Sequence, residues 1–84
     1  KHVGQFKNGK FSGHGTHTSA NGRKYIGQWD NDKPNGQGTL IEVNGDKYIG
    51  GFKNGNFHGQ GTFIFYDGTI TEGIWKNGKI VNIT

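Results

Sequence analysis

The sequence predicts an all-β fold, an antiparallel meander of β-hairpin repeats that forms an elongated, twisted single sheet, or open solenoid. Three observations predict it. Glycines recur every 23 residues at Gly4, Gly27, Gly50 and Gly73, each followed two positions later by an aromatic: Phe6, Trp29, Phe52 and Trp75. The pairs Gly13 and Gly15, Gly36 and Gly38, Gly59 and Gly61 keep the same period and lead into Thr16, Thr39 and Thr62. Two turn signals repeat as well, one at Asn8-Gly9, Asn31-Asp32, Asn54-Gly55 and Asn77-Gly78, the other at Asn21-Gly22, Asn44-Gly45 and Asp67-Gly68. Self-similarity at a fixed short period marks a repeat architecture.

Taken in order, the repeats span approximately 2–24, 25–47 and 48–70, with a partial or capping unit at 71–84. Tyr25 and Tyr48 open the second and third, while His2 and Thr71 hold that column at the ends. Runs such as 25–29 and 39–43 are rich in β-branched and aromatic residues and too short for helices, so each repeat reads as two strands. Both turn families read as hairpin turns of type I′, which needs positive φ at two central residues; Asn-Gly satisfies that most easily, and Asp32 is the weaker substitute. Strand alternation places Tyr25, Gly27 and Trp29 on one face and Ile26 and Gln28 on the other. The bare glycines leave a trough over which a ring from the neighbouring strand can lie. After Lys79 the chain reads Ile-Val-Asn-Ile-Thr where G-x-G-T is expected, either as a closing strand or as the boundary of an excised piece.

Eighty-four residues make a single domain. Only 29% are hydrophobic and 17 are glycine, but 11 aromatics at strict spacing supply a core that a disordered tract would lack. The chain has no cysteine, which excludes disulfides and thiolate metal sites; having no methionine and starting inside a repeat, it reads as part of a longer protein. No apolar run is long enough for a transmembrane span, and no targeting signal is legible. A cytoplasmic or membrane-peripheral location is the working expectation. A net charge of +4 favours anionic partners.

YIGQWDNDKPNGQGT at 25–39 and YIGGFKNGNFHGQGT at 48–62, with EGIWKNGK at 72–79, resemble the MORN (membrane occupation and recognition nexus) family. The resemblance covers nearly the whole chain, with His2, Phe6, Phe52 and Asp32 as departures. It implies a non-catalytic module of the kind built into plant phosphoinositide kinases, junction-forming membrane proteins, a lysine methyltransferase, cytoskeletal scaffolds and many bacterial proteins. Relatives are credited with binding phospholipids, binding proteins and dimerising.

Nine of the ten basic residues fall into three columns: Lys1, Lys24 and Lys47; Lys7, Lys53 and Lys76; Lys10, Lys33 and Lys79. Two columns flank the first turn, so the lysines are expected along one edge as a candidate contact for an anionic surface, unless they are ordinary solubilising residues. Phe6, Tyr25, Trp29, Tyr48, Phe52 and Trp75 form either an aromatic groove for a peptide or ligand ring, or simply the core of the sheet. Gly4, Gly13, Gly15, Gly27, Gly36, Gly38, Gly50, Gly59, Gly61 and Gly73 are structural. Phe11, Phe57, Phe63 and Phe65 recur less regularly, so any of them exposed points to a specific contact.

No catalytic, cofactor or metal site is expected. His14 and His17 stand three apart, which on a strand sends them to opposite faces, and His58 shares no histidine column. The six acids lie mostly at turns, no activated nucleophile is visible, and no glycine stretch has the makings of a phosphate loop. The Asn82-Ile83-Thr84 sequon is not expected to be used. The sequence therefore points to a scaffold for protein interaction or self-association. Peripheral binding to anionic phospholipid, and a regulatory or spacer arm of an enzyme in the parent chain, are the alternatives; nucleic acid is the weakest partner.

Overall fold

The computed structural model describes residues 2–83, without the side chain of His2; Lys1 and Thr84, and hence the complete sequon, lie outside the described residues. Eight strands follow one another in a single open sheet whose spatial order is the chain order. They are β1 (His2–Lys7), β2 (Lys10–Thr18), β3 (Lys24–Asp30), β4 (Lys33–Ile41), β5 (Lys47–Lys53), β6 (Asn56–Ile64), β7 (Ile70–Lys76) and β8 (Lys79–Ile83). All pairings are antiparallel, and the slab measures 38 × 24 × 15 Å. The hairpin meander expected from the repeat is the fold, and Lys79–Ile83 is a strand.

The two turn families differ in kind. Asn8, Asn31, Asp32, Asn54 and Asn77 all have positive φ, as do Gly9, Gly55 and Gly78, so the first family consists of two-residue type I′ turns. The second family does not, which corrects the type I′ expectation there. Its loops close through Ser19 N to Arg23 O, Glu42 N to Asp46 O and Phe65 N to Thr69 O. Within each, the glycine N–H returns to the first residue's carbonyl and only the glycine turns left-handed. That is a three-residue loop, a type I turn finished by a left-handed glycine.

The glycine pairs divide two tasks. Within a repeat, the strand pairing slips: Gly27 faces Gly38, but Trp29 faces Pro34, and Gly50 faces Gly61, but Phe52 faces Phe57. Gly13, Gly36 and Gly59, with φ of 69°, 101° and 81°, absorb the extra residues of this bulge. Two glutamines satisfy the amides it strands: His14 N donates to Gln5 Oε1 and Gln37 N to Gln28 Oε1. In the second and third repeats the second glycine of the pair lies under a ring. A Cβ at Gly38 or Gly61 would overlap the phenol of Tyr25 or Tyr48 from the neighbouring strand. Between repeats the pairing runs without interruption.

The core is therefore one face of one sheet. Tyr25, Trp29, Leu40, Tyr48, Phe52 and Trp75 are buried, with Phe11, Phe57, Phe63 and Ile80 packed against them. Rings meet edge to face down the array, with centroids 4.9 Å apart for Tyr25–Phe52 and 5.5 Å for Tyr48–Trp75. Their polar ends bond to backbone: Tyr25 and Tyr48 hydroxyls donate to Gln28 O and Gly51 O, and Trp29 and Trp75 Nε1 to Gly15 O and Gly61 O.

Candidate functional site

Five of the six residues read as groove or core are core. Tyr48 is 1% exposed and Tyr25, Trp29, Phe52 and Trp75 no more than 8%, whereas Phe6 is 58% exposed. They do not form an open groove. What the ring face does offer is a cleft of about 230 Å³ centred on the second repeat and bounded by residues of the first and third. Its walls include Tyr25, Trp29, Phe52, Pro34 and Leu40, and its rim includes Ser19 and Arg23. Arg23, the one basic residue outside the three columns, bonds through Nε to Glu42 at 2.9 Å.

The lysines obey a rule that edge-counting alone does not state. Phe6, Phe11, Trp29, Pro34, Phe52, Trp75 and Ile80 point to the ring side, as shown by their ring contacts, their place in the cleft or their place against the core. Their chain neighbours Lys7, Lys10, Lys33, Lys53, Lys76 and Lys79 therefore project from the opposite side, as do Lys24 and Lys47 beside Tyr25 and Tyr48. All eight leave one face. They do not share one edge: six flank the type I′ turns, with Lys7 opposite Lys10 and Lys76 opposite Lys79, while Lys24 and Lys47 sit at the other end of their strands. Two carboxylates, Asp30 and Glu72, occupy the same face, and Glu72 Oε2 accepts from Thr62 Oγ1.

Between the two lysine groups runs a β-branched row that sequence reasoning did not extract. The register sets Val3, Thr16, Ile26, Thr39, Ile49 and Thr62 side by side across six strands. Thr16 and Thr39 thus stand between aliphatics of adjoining strands, a favourable cross-strand arrangement, while Thr62 stands between Ile49 and Glu72. Val3 and Ile49 remain 61% and 46% exposed, so this face is uncovered. The period-2 signal for it lies in the sequence, and the register decides which strands it joins.

His14 pairs with Gln28 on the lysine face, while His17 meets the Trp29 ring on the other, so the two histidines are separated by the sheet. Among the described residues no three histidine or acidic side chains gather at one point. No helix there is long and apolar enough to cross a membrane.

A repeated hairpin whose glycines sit beneath tyrosines, and whose rings form a one-sided core, defines a β-repeat module. The sequence profile of the MORN repeat matches residues 2–22, 25–47, 48–70 and 72–81, and the chain belongs to the MORN repeat family. A search of curated proteins returned no match. The repeat is generally non-catalytic and is associated with protein and membrane interactions.

Proposed function

We propose that the chain is a non-catalytic docking module that engages anionic phospholipid membranes through its lysine face. The observation that carries this reading is the placement of eight lysines and two carboxylates on one uncovered side of the sheet. Equivalent lysines two strands apart are spaced roughly 10 Å, close to the screening length in physiological salt, so they act on a surface jointly. Each lysine at an anionic bilayer contributes ~1 kcal/mol, and about half of them engaging gives weak, salt-sensitive attachment. The exposed Val3 and Ile49 add apolar contact on the same side.

The test is sedimentation with acidic or neutral vesicles at low and physiological salt, for wild type and for Lys7, Lys53 and Lys76 jointly replaced by glutamine. Selective binding to acidic vesicles, weakened several-fold by the replacement, supports the reading. Equal binding to neutral vesicles contradicts it. A second reading, the protein-interaction scaffold, is favoured by the ring-face cleft, whose apolar walls and Arg23 rim suit one anchoring side chain of a partner protein. Binding that is lost on Leu40→Gln with vesicle binding intact would assign the partner to that cleft.

A further inference from the structure

The three-residue loops differ from one another where the fold asks for nothing. The first central position is Ala20, then Val43, then Tyr66, and the residue that opens each loop is Ser19, then Glu42, then Phe65. That central position belongs to a type I turn, which accepts most residues, and Ala20 forms the same turn as the other two. Yet Tyr66 is 74% exposed, Val43 63% and Phe65 39%. Phe65 is one of the irregular phenylalanines whose exposure marks a contact, and its ring rests 4.7 Å from that of Phe63, which roots the patch in the core.

The second and third loops are joined to each other. Tyr66 N donates to Asp46 Oδ1 at 2.8 Å, Asn44 Nδ2 donates to Asp46 Oδ2 at 3.1 Å, and a Cβ on Gly45 would touch Tyr66 Cβ. The patch is therefore preformed, which lowers the ordering cost of binding. The two loops themselves are acidic, against +4 for the chain: residues 42–46 and 65–69 contain Glu42, Asp46 and Asp67 and no lysine or arginine, and with Glu42 bonded to Arg23 the carboxylates left to a partner are those of Asp46 and Asp67. Backbone and side-chain hydrogen bonds from Thr69 hold the Asp67 carboxyl below its ordinary range, so it stays ionised.

We propose that Val43, Phe65 and Tyr66, with the carboxylates of Asp46 and Asp67, dock a basic protein segment that carries an apolar side chain beside an arginine. The guanidinium stacks on Tyr66 and meets the carboxylates, while the apolar neighbour packs on Val43 and Phe65. The carboxylates of Asp46 and Asp67, beside exposed apolar side chains, suit a cationic partner better than an anionic bilayer. It lies at the opposite ends of the strands from the six turn-flanking lysines, ~20–30 Å away. A protein can therefore be held at one edge while the lysine face holds something else, which makes the module an adaptor. The docking corner does not depend on the lipid reading.

Nitrogen-15 NMR of the chain, titrated with a capped tetrapeptide alternating leucine and arginine, tests this. The expected shifts concentrate at residues 42–46 and 65–69. The affinity falls at least tenfold in the double variant Val43→Ser, Tyr66→Ser, which keeps the turns because Ala20 shows they need no large side chain. It is unchanged by the triple lysine replacement. The glutamate counterpart of the peptide leaves both loops unmoved. Silent loops with the arginine peptide, equal shifts with the glutamate peptide, or loop broadening by acidic vesicles in place of the peptide would each overturn the proposal.

Discussion

Gly38 and Gly61 owe their identity to the tyrosines lying over them, since neither has φ in the left-handed region. Gly61→Ala is expected to destabilise by about 3 kcal/mol, the upper range for overpacking, measured by urea unfolding. A cost below about 0.5 kcal/mol would mean the ring does not rest there. Asp32, read from sequence as the weaker substitute for glycine in the turn, is also a clamp. Its N–H donates to Phe11 O at 3.1 Å and its Oδ1 accepts from Phe11 N at 2.6 Å, tying one repeat's turn to the previous repeat. Gly55 and Gly78 make only the backbone half, to Pro34 and Phe57. Asp32→Ala keeps the left-handed backbone and loses the carboxylate, so it should cost about 1–2 kcal/mol. Asp32→Gly loses the same bond but relieves backbone strain and should cost clearly less. Alanine no worse than glycine would contradict the clamp.

At the scale of the element, each hairpin is legible in the sequence where one residue type is a necessity. Positive φ selects Asn-Gly, and close approach of a ring selects glycine. Loop length is less legible, because a left-handed glycine after asparagine serves a two-residue and a three-residue turn alike; the second turn family was misread for that reason. The glutamine acceptors at Gln5 and Gln28 were missed because the column breaks to Gly51 and Ile74. The tyrosine strands carry a pH signature. Burial pushes the Tyr25 and Tyr48 hydroxyls from 10.0 up to about 12. A raised native pKa favours the neutral fold, so this contribution to stability is intact below pH ~10 and disappears as pH rises towards 12. Circular dichroism and tyrosinate absorbance should therefore show unfolding and ionisation together in that window. Ionisation of both tyrosines near pH 10 with the fold intact would contradict the buried placement.

As a whole molecule, the array has strands that pair only with their neighbours in sequence, a one-dimensional body with two unlike faces. The ring face was foreseeable from alternation. That the eight described lysines share the other face follows from the same parity, because the bulges between β3 and β4 and between β5 and β6 insert two residues and so restore it. The exposure of Val43, Phe65 and Tyr66 was not foreseeable, since an apolar loop residue is as readily buried as bare. The central claim is that the lysine face, and not the ring face, meets the membrane. With no cysteine in the chain, Ile49→Cys and Ser19→Cys each provide a unique thiol, the first on the lysine face and the second at the ring-face cleft. Each is labelled with a polarity-sensitive fluorophore and mixed with acidic vesicles that carry a lipid-borne quencher. The account predicts a blue shift and quenching at position 49 and neither at position 19; quenching at 19 with 49 unchanged would contradict it.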